Sequence, residues 1–98
     1  MIYVDDMRRE ASVPHRGRMI TSRWSHLFAD TTAELIDFAR QLGLHPTWIQ
    51  KAGTPLEHFD LTDPKRRMAL RLGATPVKYP RGTAELIEAL KAKGVRTP

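Results

Sequence analysis

Hydrophobic and polar positions change their spacing several times along this chain, and each change marks an element. Ile2-Tyr3-Val4 is a β-branched and aromatic run stopped by Asp5 and Asp6, which predicts a first strand. Residues 7–22 have no clean period and hold Pro14, Gly17 and several arginines, so they read as a long loop of the kind that is commonly functional or mobile. From Arg23 to Phe28 a second strand is expected, with Trp24, His26 and Phe28 on one face and Arg23, Ser25 and Leu27 on the other.

The helices are announced more plainly. Thr31 with Glu34 forms a capping box, and Leu35, Phe38, Ala39 and Leu42 make one apolar stripe ended by Gly43. Thr47 to Gln50 predicts a short third strand, Lys51 to Pro55 a turn, and His58 to Leu61 an extended segment returning beside that strand. A second helix is expected from Asp63 as N-cap and Pro64 at the first helical position, turning Met68, Ala69 and Leu72 inward and stopping at Gly73. Val77-Lys78-Tyr79 lies between two prolines and so reads as an edge strand. Helix three runs from about Thr83 to Lys93 with Leu86, Ile87 and Leu90 inward. The recurrence of Thr32-Ala33-Glu34-Leu35-Ile36 as Thr83-Ala84-Glu85-Leu86-Ile87 reads as convergence on helix-start chemistry rather than duplication. Interleaved strands and helices predict an α/β domain, with about four short strands and three helices. Residues 1–94 form one domain in this reading, and 95–98 a short tail.

Composition narrows the partners. A chain of 98 residues has room for one core and little spare stability. The expected site is therefore a surface cleft or one shared between protomers, with a symmetric homo-oligomer as the default. The absence of cysteine excludes disulfides, thiolate zinc sites and cysteine nucleophiles. The charged start and the lack of a long apolar run predict a soluble, cytoplasmic protein without a membrane partner. A net charge of +5 fits either a phosphorylated or polyanionic partner or a solvated basic surface. Lys65, Arg66, Arg67 and Arg71 share the second helix and are open to the same two readings.

The candidate chemistry lies at element ends. Asp5 and Asp6 close the first strand, where carboxylates suit metal coordination, sugar hydroxyls or a plain turn. Arg23 offers a planar fork for phosphate, Trp24 either a stacking surface or core, and His26 a proton or a buried partner. Asp30 reads as a helix-start acid, while His15 and His45 read as exposed loop residues. His58 and Asp60 share a face if extended, as a carboxylate-oriented histidine or half of a metal site. The donors of a His₂–Asp centre exist, but no close-spaced pair of the HExxH kind does, so the expected metal and cofactor set is none. No phosphate-binding glycine loop, nucleophile elbow or nucleic-acid motif is found either.

Tyr3-Val4-Asp5-Asp6, Arg23-Trp24-Ser25-His26-Leu27, Ala29-Asp30, Glu34-Leu35, Gly43-Leu44, Trp48-Ile49-Gln50, His58-Phe59-Asp60 and Gly73-Ala74 together set a pattern. In these blocks, over roughly residues 2 to 78, the chain resembles the small bacterial and phage family catalogued as domain-of-unknown-function 4031. Phe59 stands where the resemblance leads one to expect tyrosine, which removes a hydroxyl. The resemblance implies no activity, and it is compatible with a phage origin.

Two functions of different class fit these residues. The first is non-enzymatic binding of a small phosphorylated ligand, a nucleotide or cyclic nucleotide signal by preference, as in a phage sequestering protein. Arg18 and Arg23 would take phosphate, Trp24 or Trp48 would stack on a base, and Gln50, His58 and Asp60, with Asp5, Asp6 and His26, would supply polar contacts. The alternative is a small metal-dependent phosphoester hydrolase or nuclease, with Asp5, Asp6 and Asp60 on magnesium or manganese and His26 or His58 as base. General nucleic-acid binding rests on charge alone and ranks last.

Overall fold

Ile2–Asp5 forms β1, as its β-branched run predicts. The next twenty residues depart from the sequence-based expectation. In the structure, a computed structural model that describes residues 1–94, Arg16 and Gly17 both have positive φ, 51° and 75°. Two such residues make the mirror-image turn whose twist matches paired strands. They join β2 (Arg9–His15) to β3 (Arg18–Ala29), with His15 facing Arg18. Most of the expected loop is therefore a hairpin, and the strand expected from Arg23 begins at Arg18. Pro14, which weighs against a strand, is tolerated because β2 is an edge strand with one side free of a ladder.

After β3, α1 (Thr32–Gln41) starts with the predicted cap: Glu34 N donates to Thr31 Oγ1 at 3.1 Å, and Thr31 Oγ1 donates to Glu34 Oε1 at 3.0 Å. The expected strand at 47–50 is instead a single 3₁₀ turn, Pro46–Trp48. Pro46 fits its first position, and Thr47 N donates to His45 Nδ1 at 3.2 Å. Only Gln50 pairs, in an isolated bridge with His58. Next come β4 (Phe59–Thr62), α2 (Asp63–Arg71), β5 (Thr75–Val77) and α3 (Arg81–Ala92). Thr62, not Asp63, holds the cap position of α2, and Leu72, expected inward, is 48% exposed beyond its last turn. The expected tail at 95–98 lies outside the described residues.

The sheet is mixed. Its order is β2-β3-β1-β5, with β4 on the other edge of β3. β1 runs antiparallel to β3 and parallel to β5, so β5 forms the predicted edge two residues earlier than expected. Period-two alternation sorts the two faces. Val4, Leu27, Ala29, Phe59 and Leu61 point to one side and pack with Leu35, Phe38, Ala39 and Leu42 of α1 and Ala69 of α2 in the main core. Tyr3, Asp5, Trp24, His26, Phe28 and Asp60 fall on the opposite face. There the first turn of α3 touches the sheet, through a bond from Thr83 to Asp5. Among the described residues, no helix is long and apolar enough to cross a membrane.

Candidate functional site

β1 and β2 lie in tandem along the same edge of β3, but not in one register. Val4 faces Leu27 and Arg9 faces Trp24, so residues 5–8 oppose only Ser25 and His26. This two-residue excess is a bulge, and it frees backbone groups that must find partners elsewhere. Side chains supply them. His26 N and Met7 N donate to Asp5 Oδ1 at 2.9 and 3.2 Å, and Arg8 N donates to Ser25 Oγ at 3.1 Å. From α2, Arg66 Nε donates to the Asp5 carbonyl at 2.8 Å, while the Arg8 guanidinium pairs with Asp63 at 2.8 Å. Tyr79 N donates to Asp6 Oδ1 at 2.7 Å, tying the segment before α3 to the bulge.

The bulge places a carboxylate under a histidine. Asp5 is 1% exposed, and its Oδ2 lies 2.7 Å from His26 Nδ1 and accepts from Thr83 Oγ1 at 3.0 Å. Burial alone would raise the Asp5 carboxyl, but the hydrogen bonds and charge of His26 outweigh it and hold the group below the usual carboxylate range. An ionised Asp5 can only accept, so Nδ1 of His26 carries the hydrogen. The other ring nitrogen is then directed away from Asp5.

β4 brings the remaining members. His58 and Asp60 share a face, as the extended reading predicts, and Asp60 stands opposite His26 across the β3–β4 ladder. His58 Nδ1 is 2.8 Å from the Leu56 carbonyl, and its Nε2 lies 3.4 Å from Asp60 Oδ1. Burial would lower the His58 imidazole, but the Asp60 carboxylate and the Leu56 carbonyl prevail and raise it. Burial likewise works to raise Asp60, and its bond to His58 overrides that and lowers it. Gln50 Nε2 donates to the other oxygen of Asp60. The His26 and His58 rings meet edge to face with centroids 5.1 Å apart. One ligand atom from each of His26, His58 and Asp60 lies within 4.8 Å of the other two. These three are the described residues that could together hold a metal ion.

They stand in a cleft of about 900 Å³ between the hairpin, the segment around Trp48, and β4. Of the residues proposed from sequence as ligand contacts, Trp24, His26, Trp48, Gln50, His58 and Asp60 line it. Asp5 is buried behind His26, and Asp6 is engaged with the backbone of Tyr79. Arg18 and Arg23 are not among the lining residues, whereas Arg9 and Lys65 are. Arg9 is the cross-strand partner of Trp24 and reaches the cleft because β2 is a strand. Lys65 is already occupied, donating to the carbonyl of Leu42, the residue that caps the C-terminus of α1. Trp24 is half-buried, with its indole N–H given to the Ala11 carbonyl at 3.0 Å.

A family profile described as a protein of unknown function (DUF4031) matches residues 2–93. The chain belongs to this family. The match takes in the bulge, His26 and His58, β4 and all of α3, so every element of the cleft falls within the family domain. No curated protein and no solved structure matches the chain.

Arg9, His15 and Thr83 escape reasoning from sequence. His15 reads as an exposed loop residue, yet it lines the cleft and meets Trp48 edge to face at 5.0 Å. The available signal is the alternation of Arg9, Ala11, Val13 and His15 ahead of two positive-φ turn residues. Arg16-Gly17 is a weaker hairpin sign than Asn-Gly or Asp-Gly. Nothing local marks Thr83 as the partner of a carboxylate 78 residues away.

Proposed function

We propose that the cleft binds a small phosphorylated ligand carrying an aromatic base, a nucleotide by class. The observation that carries this reading is the juxtaposition of Arg9 and Trp24. As cross-strand partners on the cleft face they set a guanidinium beside an indole, and among the described residues the Arg9 guanidinium has no ion pair. A fork-shaped cation suits phosphate, and an accessible indole suits the face of a base. Trp48, 40% exposed on the far side, offers a second apolar surface. Gln50 and His58 provide donors and acceptors between the two walls.

A second reading, metal-dependent hydrolysis of a phosphoester, is favoured by one observation: the convergence of His26, His58 and Asp60. A titration of tryptophan fluorescence with purine and pyrimidine mono- and triphosphates and cyclic nucleotides, in EDTA, tests the first reading. Saturable binding of at least one class is expected. No saturation up to about 1 mM, equivalent to ~4 kcal/mol of binding, overturns it. Chromatography of the same ligands after incubation with Mn²⁺ or Zn²⁺ separates the readings, intact ligand supporting binding alone and converted ligand supporting hydrolysis.

A further inference from the structure

Two histidines on neighbouring strands often meet by packing alone, so their ring hydrogens decide whether they can serve a metal. For His26, the acceptor at Nδ1 is the ionised, buried Asp5 carboxylate. For His58, it is the Leu56 carbonyl, which can only accept. Both rings are thereby held with hydrogen on Nδ1, and in the neutral form both keep their lone pair on Nε2. This arrangement, with the non-ligating nitrogen given to a carboxylate or a backbone carbonyl, is the usual support of metal-bound imidazole. Asp60 has matching support, since Gln50 donates to one of its oxygens and leaves the other beside His58.

We propose that His26 Nε2, His58 Nε2 and one oxygen of Asp60 bind a first-row divalent metal ion, with open coordination positions facing the cleft. The donor set gives the class. Two imidazoles and a carboxylate without thiolate suit zinc, manganese, iron, cobalt or nickel, whereas magnesium and calcium favour oxygen ligands alone. Bonds to such an ion run to about 2.0–2.2 Å, which sets tetrahedral ligand atoms roughly 3.3–3.6 Å apart; His58 Nε2 and Asp60 Oδ1 already stand at 3.4 Å, and a pair at the 4.8 Å limit needs to close by roughly 1.2–1.5 Å. Asp60, which is 36% exposed, is free to make that movement. The number of ligands gives the type. Structural zinc sites are usually closed by four protein groups, while three leave room for water or a ligand oxygen. The open side faces the space shared by Arg9 and Trp24, so an oxygen of a phosphorylated ligand could complete the shell.

The site also explains why sequence spacing misses it. His26 comes from β3, while His58 and Asp60 lie 32 and 34 positions later, so only the β3–β4 register unites them.

The test uses the whole chain without nucleotide. Zn²⁺ and Co²⁺ are titrated calorimetrically into EDTA-treated, buffer-exchanged protein, and the Co²⁺ complex is followed by visible absorption. One ion per chain is expected, with His26→Gln and His58→Gln each weakening affinity at least about 100-fold and His45→Gln leaving it unchanged. Circular dichroism verifies that each variant is folded. Should either variant not fold, long-range ¹H–¹⁵N spectra of the wild-type imidazoles decide, because Zn²⁺ must shift Nε2 of both His26 and His58 and leave their Nδ1 protonated. Absence of saturable binding, or binding that perturbs neither Nε2, overturns the proposal. Nucleotide binding in EDTA without metal binding defeats this inference alone. Metal binding without nucleotide binding defeats only the functional reading above.

Discussion

His26 Nδ1 sits 2.7 Å from Asp5 Oδ2, and the same carboxylate also accepts from His26 N on its other oxygen. One side chain thus fixes both the ring and the backbone of the histidine, at the point where β1 and β2 lose register. Replacing the acid with its amide keeps the shape but removes the charge, and puts a donor where only acceptors fit. Hydrogen bonds to charged groups each contribute about 1.5–3 kcal/mol. Asp5→Asn is expected to lower unfolding free energy by about 2–4 kcal/mol in urea denaturation. It should also weaken Zn²⁺ binding about 10- to 100-fold, the usual effect of losing an outer-shell partner. A variant as stable as wild type would show that the carboxylate does not hold the bulge.

The two arginines nearest Trp24 in the sheet are expected to behave differently. Arg9 lines the cleft, while Arg23 is exposed and absent from its lining. Loss of a charge-assisted bond to phosphate corresponds to about 2–3 kcal/mol, or roughly 30- to 150-fold in affinity. Arg9→Ala is expected to lose nucleotide affinity on that scale, with Arg9→Lys between it and wild type. Arg23→Ala should remain within about twofold of wild type. The opposite order in the same fluorescence titration would place phosphate on the other face of the hairpin.

The metal site makes its own statement about stability. An ion that binds only the native state stabilises it by about 2.7 kcal/mol at a hundredfold excess over Kd. In a domain of this size that corresponds to a rise in Tm of roughly 10 °C or more. Zn²⁺ is expected to raise the melting temperature of EDTA-treated protein by this amount, and EDTA to reverse it. No change in either scan would contradict the three-ligand site.

Acid sensitivity should be traceable to Asp30 and Asp63. Burial works against ionisation of Asp30, yet bonds from the Met1 ammonium, Lys93 and Tyr3 hold its carboxyl at about 2. Asp63 is held low chiefly by the Arg8 guanidinium. Both folded values lie below the ordinary 3.8, so their contribution is complete above that pH. It is lost as pH falls toward the folded values, through about 2 for Asp30. Asp30→Asn is expected to flatten the stability profile between about pH 4 and pH 2. An unchanged acid limb would show that these contacts are equally present when the chain unfolds.

The hairpin turn offers a prediction in both directions. Arg16 holds φ of 51°, a region where asparagine is much better tolerated than arginine, and Gly17 follows at 75°. Arg16→Asn is expected to raise stability by about 0.5 kcal/mol, and Gly17→Val to lower it by about 1–2 kcal/mol. If both leave the urea midpoint unmoved, the hairpin is not coupled to the fold.

Where a signal is local, the sequence is enough. The Thr31–Glu34 capping box, the glycine after α1, and the facing of Trp24, His26 and Phe28 each depend on residues within a few positions of one another. Those facts settle the start and end of α1 and the faces of β3; the interleaved runs give the α/β class, and extended spacing puts His58 on the same face as Asp60 of β4. The 47–50 segment and the β2–β3 hairpin defeat sequence reasoning for a related reason. Apolar content at Trp48-Ile49 suits a strand as well as a 3₁₀ turn, and an Arg-Gly turn carries little preference until strands pair around it. Only the tertiary structure decided which strands touch. The bulge that buries Asp5, the bond from Thr83, and the meeting of His26 with Asp60 all depend on register between distant segments. Register is set by how whole faces pack against α1 and α2, and a shift of one residue would turn His26 into the core and Leu27 into the cleft.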